Sequence, residues 1–252
     1  MDLHLTDLTF VVTAASAGLG RACADALVAE GARVVLVARR GEVLDAAVAS
    51  YPRGRAVALA ADLTQPETAQ RAVELALDTF GRLDGALVSV GGPPRGAVLE
   101  NSDAEWHAAF DSVFLTALRV ARAVVAAATA PPVLGFVLST SAKTPLPHMA
   151  LSNGLRPGLG VLVKQLGDEL GPKGGRTFGL MPGSILTERI MWLHNQASDP
   201  AAARASAEAG IPLRRFGEPA EFGRVATFLL SPAASYVTGC VIPVDGGAMR
   251  AL

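Results

Sequence analysis

The sequence predicts an α/β chain: a doubly wound parallel sheet of seven strands with helices on both faces. Three observations predict it. Short apolar runs alternate with amphipathic stretches along the 252 residues. Most of those runs are continuously hydrophobic, which marks strands buried on both faces. A glycine-bearing turn, TAASAGLG at Thr13–Gly20, leaves the first run and opens the first helical stretch. Strands that alternate with helices imply parallel pairing through right-handed crossovers. Ligands of such sheets bind beyond the carboxyl ends of the strands.

The first strand is LTFVVT (Leu8–Thr13), followed by a helix over Gly18–Glu30. The second is RVVLVA (Arg33–Ala38), whose β-branched residues favour a pleated strand, and a helix follows from Glu42. AVALAADL (Ala56–Leu63) is the third strand, before a helix over Glu67–Phe80. GALVSV (Gly85–Val90) is the fourth, and one long Ala/Val-rich helix is expected over Asp103–Ala128. VLGFVLS (Val133–Ser139) is the fifth, with a helix from Ser152 to Leu170. RTFGLM (Arg176–Met181) is the sixth and GCVIPVD (Gly239–Asp245) the seventh. Residues 1–252 then form a single domain, because no repeat and no linker divides them. The stretch between Ser184 and Pro212 breaks the rhythm. It follows a strand end, so it is expected to lie over the ligand crevice as a lid; a surface helical pair without a gating role is the alternative.

Half the residues are hydrophobic and 18% are charged, a composition that builds a large core and excludes disorder. The net charge of −1 gives no field to recruit nucleic acid or an anionic membrane. No apolar run reaches the roughly 18 residues of a membrane span, and the N-terminus is too acidic for a signal peptide. Cys23 and Cys240 lack metal-ligand spacing and read as buried thiols, so no metal is expected and a cytoplasmic location is.

The turn carries the first functional signal. Gly18 and Gly20 let the backbone approach a pyrophosphate, and the helix N-terminus supplies unpaired N–H groups and a positive dipole end. With Thr13, Ser16 and Leu19 they form a dinucleotide cradle in the strand–loop–helix context that such a motif requires. Ala14 stands where a first glycine is expected, and fits if its φ is negative. Arg39 and Arg40 follow the second strand where an acid would favour NAD. A guanidinium there can grip a 2′-phosphate, so NADP is preferred, with NAD possible. Asp62 and Leu63 end the third strand, where a carboxylate can accept a bond from adenine.

These segments, with AADL, SVGG, LST, MPG, PLRRFGEPAEF and SYVTGCVIPVDGG, resemble the short-chain dehydrogenase/reductase family over nearly the whole chain. The resemblance implies a Rossmann-type sheet, a nicotinamide cofactor, and hydride transfer on a small-molecule carbonyl or hydroxyl substrate. It also implies a homo-oligomer, tetramer or dimer. The Ala/Leu/Val-rich long helix and Ser152 helix carry excess apolar residues that suit such an interface. The family's loop after the fourth strand falls on Val88–Gly91, which keeps only Gly91. PGSILTE, through Pro182, Gly183, Ile185 and Thr187, resembles the turn that meets the nicotinamide carboxamide.

The family's catalytic Asn, Ser, Tyr and Lys fall on Val113, Ser139, Ser152 and Arg156. Three of the four are replaced, in a pattern that resembles a branch carrying Leu-Ser-Asn-x-x-Arg, similar to 3-oxoacyl carrier-protein reductases. Serine is a far weaker acid than a tuned phenol, and guanidinium stays protonated. Arg156 can still bind ribose hydroxyls or stabilise developing negative charge. Lys143 is the first candidate proton donor and His148 the second; Ser152 as a plain helix N-cap is the bland alternative. Met149, Leu186, Met191, Trp192 and His194 are candidate pocket residues. Two functions remain open: an oxidoreductase with an atypical proton donor, or a protein that binds dinucleotide without hydride transfer or runs non-redox chemistry.

Overall fold

The computed structural model describes residues 1–188, 190–191, 196 and 199–250. Seven parallel strands form one sheet in the order β3-β2-β1-β4-β5-β6-β7. They are β1 (Thr9–Thr13), β2 (Arg33–Ala38), β3 (Ala56–Ala60), β4 (Gly85–Val88), β5 (Val133–Val137), β6 (Arg176–Pro182) and β7 (Cys240–Val244). The order reverses at β1, which pairs with β2 on one side and β4 on the other. That switch point opens a crevice at the carboxyl ends of the strands.

Alternate residues of each central strand feed two cores. Phe10, Val12, Val34 and Leu36 pack with α1 (Gly18–Ala29) and α8 (Pro219–Leu230). Val11, Val35 and Val37 face the other way, onto α3 (Thr68–Phe80), α5 (Thr116–Ala127) and α6 (Ala150–Leu170). In chain order the remaining helices are α2 (Gly41–Ser50), α4 (Asp103–Ala109) and α7 (Pro200–Ala209).

Several expected boundaries move, each for a local reason. β3, β4 and β5 stop before Leu63, Val90 and Ser139, because the chain leaves the ladder to line the crevice. Asp62 accepts the Thr64 amide and hydroxyl, both at 2.9 Å, and so forms a turn. Ser89 is latched sideways: its N–H donates to Thr13 Oγ1 at 2.8 Å, and that hydroxyl donates back to the Ser89 carbonyl. The helix expected to open at Ser152 opens at Ala150, with Met149 as its N-cap and no side-chain capping bond. Ser152 therefore lies inside the first turn and is not a cap.

The long helix expected over Asp103–Ala128 is broken. Phe110–Leu115 form a π turn between α4 and α5. Thr116 Oγ1 bonds the Asp111 carbonyl at 3.0 Å and the Leu63 carbonyl at 3.1 Å, which stabilises the widened turn. The break lets Phe110 and Phe114 stack with ring centroids 5.1 Å apart. Small residues on α6 receive the rings: a β-carbon on Gly154 would lie 2.7 Å from the Trp106 ring, and one on Gly158 3.0 Å from Phe114.

Candidate active site

The loop from β1 to α1 builds the cradle. Ala14 has φ 50°, so the left-handed turn is made by an alanine, contrary to the negative φ expected there. The Ala15 amide donates to the Val37 carbonyl at 3.2 Å, which helps to hold the strained residue in place. Gly18 is also left-handed, at φ 60°. Gly20 has no room for a side chain, since a β-carbon would fall 2.6 Å from the Ala14 carbonyl oxygen. No side chain caps α1 and no acid lies in its first turn. Its first N–H groups and positive dipole end are thus directed at the crevice, which is the chemistry an anionic pyrophosphate needs.

The neighbouring residues close around this cradle. A β-carbon on Gly18 would lie 3.5 Å from Thr187 Cγ2, so the loop after β1 and the turn after β6 meet. That turn is pinned by Gly183 N–H to the Val244 carbonyl at 3.0 Å and by Leu186 N–H to the Gly217 carbonyl at 2.8 Å. Ile185 is buried. Arg40 reaches back to Ser16 Oγ at 3.1 Å. The Thr64 bonds hold the Asp62 carboxyl below the usual carboxylate range, and the charge of Arg39 adds to the effect. The Thr13 hydroxyl is committed to Ser89, so Thr13 holds the loop in shape. Leu63 lends its carbonyl to Thr116. Gly91 is exposed, and a β-carbon there would meet nothing within 4 Å. A dinucleotide fits these residues.

Beyond β5 the chain makes a 3₁₀ turn, Thr140–Ala142, with Ser139 as its N-cap. Ser139 Oγ accepts the Ser141 amide at 3.1 Å. One of its two lone pairs is thereby engaged and the hydroxyl proton is left to point elsewhere. Ser139 is half-buried. Ser152 is 2% exposed, and its Oγ lies 2.8 Å from Ser141 Oγ, itself on a residue 3% exposed. Ser141 therefore links the other two serines, its amide to Ser139 and its hydroxyl to Ser152. One turn along α6, Arg156 is 4% exposed and donates from Nη1 to the Val137 carbonyl at 2.6 Å. The guanidinium is thus anchored at the end of β5, below the serine turn. A buried cation there favours negative charge developing nearby.

Sequence reasoning missed Ser141. Its one visible signal is the repeat of serine two residues after the strand-end serine, in STS. Val113, at the asparagine position, is fully buried among apolar side chains and offers no polar group. Lys143 ends the 3₁₀ turn, its side chain exposed and its amide bonded to the Thr140 carbonyl at 3.1 Å. His148 is exposed with φ 54°. Its carbonyl accepts the Gly96 amide at 2.9 Å, and the Ala150 amide donates to Gly96 at 3.2 Å, which ties the loop after β4 to the start of α6. Asn153 does the same for the preceding loop, bonding both backbone groups of Leu146 at 2.9 Å. Met149 and Leu186 are half-buried and Met191 is exposed. Trp192 and His194 lie outside the described residues.

The family model for enoyl-(acyl carrier protein) reductases matches residues 13–249. L-xylulose reductase of Bos taurus is 33% identical over 253 residues, 98% of each chain. The crystal structure of L-sorbose reductase from Gluconobacter frateurii, complexed with NADPH and L-sorbose, superimposes with a TM-score of 0.94 at 27% identity, covering 100% of both chains. A short chain oxidoreductase from Pseudomonas aeruginosa, whose apo structure is described as containing an atypical catalytic center, matches with a TM-score of 0.92 at 28% identity over 98% of this chain and 99% of that one. With the switch-point crevice, the glycine cradle and the strand-end serine, these matches establish that the chain belongs to the short-chain dehydrogenase/reductase family.

Proposed function

We propose that the chain is an NADPH-dependent oxidoreductase of a small carbonyl or hydroxyl substrate, with a proton donor other than a phenol. The uncapped N-terminus of α1 behind Gly18 and Gly20 carries this reading. Arg39 and Arg40 favour the 2′-phosphate of NADP over the bare ribose of NAD. Bound NADPH supplies the hydride. The chain's own residues do the rest: Ser139 donates a hydrogen bond to the carbonyl oxygen, and Arg156 stabilises the oxyanion. Lys143 delivers the proton from the loop after the serine turn. We assign the stretch 184–212 the role of a lid; none of the residues of α7, its described helix, is buried, as suits an element free to move. Exposed Phe110, Val125 and Val161 on the α4–α5 and α6 segments suit a homo-oligomeric interface. Among the described residues no helix is long and apolar enough to cross a membrane, which accords with a cytoplasmic site of action.

Nicotinamide fluorescence on titration with NADPH and NADH tests binding and preference. Loss of an arginine–phosphate contact is worth about 1.5–3 kcal/mol, so Arg39→Ala with Arg40→Ala should weaken NADPH roughly tenfold or more and leave NADH little changed. Turnover across L-xylulose, L-sorbose and a 3-oxoacyl thioester, with and without Lys143→Ala, tests the chemistry. The second reading is dinucleotide binding without hydride transfer. It is favoured by the burial of Ser152 and the apolar surroundings of Val113. Tight NADPH binding with no turnover on any substrate would decide for it.

A further inference from the structure

We infer that Ser141 is a positioning residue of the reaction, acting through both serines at once. The inference rests on the oxidoreductase reading above. Its amide donates to Ser139 Oγ at 3.1 Å, and its own hydroxyl pairs with Ser152 Oγ at 2.8 Å. A hydroxyl has one proton to give. Accepting the Ser141 amide occupies one of the two Ser139 lone pairs and fixes the hydroxyl's orientation, so its proton stays available to an acceptor oxygen arriving in the crevice. The amide therefore sets Ser139 as a donor toward the substrate.

The second contact restrains Ser152. This serine stands where the family carries its phenol, yet it is 2% exposed and its hydroxyl is bonded inside the protein. Between α6 and the 3₁₀ turn, both hydroxyls of the pair would be costly to bury alone. Paired, they hold each other in place. Ser141 thus keeps Ser152 from competing with the substrate oxygen for the proton of Ser139. Without the Ser141 hydroxyl, Ser152 must find another partner, and Ser139, bonded to the amide of the same turn, becomes the candidate.

This account makes an unusual prediction about combined substitutions. Ser141→Ala retains the amide and removes the hydroxyl. With NADPH and whichever carbonyl of the substrate panel is reduced fastest, kcat should fall about fivefold to tenfold, as for one lost neutral hydrogen bond. The KM for NADPH should stay within about twofold, because the hydroxyl that is removed bonds Ser152 and not the cradle. Ser141→Thr keeps a hydroxyl and should recover most of the rate. Ser141→Ala with Ser152→Ala removes both the restraint and the group restrained, so the double variant should be faster than Ser141→Ala alone. Additive losses in the double variant, or equal losses in kcat and NADPH affinity, would overturn the inference and make Ser141 a packing residue only.

If the unsubstituted chain reduces no carbonyl, the oxidoreductase reading fails by itself. The inference is then decided by crystal structures with NADPH. Ser152 Oγ is expected to leave its present rotamer in Ser141→Ala and to keep it in Ser141→Thr. An unmoved Ser152 in Ser141→Ala would refute the positioning role.

Discussion

Ser152 shows how one residue can keep its place in a sequence and change its role. The family position survives, but the hydroxyl is turned inward onto Ser141 and closed off from solvent. Reinstalling the phenol should therefore fail. Ser152→Tyr forces a ring into a packed site, and overpacking of this kind costs about 1–3 kcal/mol. Chemical denaturation should show that loss, and turnover should not rise; a stable and faster variant would show that the crevice still has space for the ring. Gly20 supports a second prediction. A β-carbon 2.6 Å from the Ala14 carbonyl oxygen must push the turn out of shape. Gly20→Ala should weaken NADPH binding about tenfold or more in a fluorescence titration, at a stability cost of about 1–3 kcal/mol. The glycine cradle was legible in the sequence because it is a local pattern between a strand and a helix. The conformation of Ala14 was not, because nothing in the residue type signals φ 50°. Nor was the Ser141–Ser152 pair, which depends on how a 3₁₀ turn aims its side chains across eleven residues.

At the scale of elements, the π turn between α4 and α5 is the informative one. Within it, at the asparagine position, stands Val113, at 0% exposure. Val113→Asn would place an amide among apolar side chains with no partner prepared for it. The expected cost is about 1–3 kcal/mol, read as a lower midpoint in urea. No change would mean that a polar partner exists nearby. The hydrophobic spacing alone could not reveal this turn, because apolar residues run through it from both sides and continue the helical pattern. The strand ends were misplaced for a related reason. Leu63, Val90 and Ser139 extend the apolar runs, while side-chain bonds at Asp62, Ser89 and Ser139 draw the backbone out of the ladder.

For the molecule as a whole, seven strands and their helices were legible because each apolar run carries its own period, and the crossover rule orders them. The charge arrangement was not. Arg215 grips Glu221 with two bonds of 2.7 Å, and Glu221 also accepts the Glu218 amide at the start of α8. These bonds, Arg215 first, hold the Glu221 carboxyl down to about 2. A depressed acid contributes stability that is present above its ordinary pKa and lost as pH falls through the folded value. The contribution should be full above the ordinary glutamate range, decline steadily as pH falls below it, and be gone near pH 2. A carboxyl-carbon NMR titration checks this, and an ordinary midpoint for Glu221 would show the grip to be absent in solution. The ring of Trp106 on Gly154 has a practical consequence at the same scale. The chain has two tryptophans, and this indole rests on α6 at Gly154, on the face turned away from Ser152 and Arg156. In a Trp192→Phe background its emission becomes a built-in optical gauge of whether α6 shifts when coenzyme is added, before any product is formed.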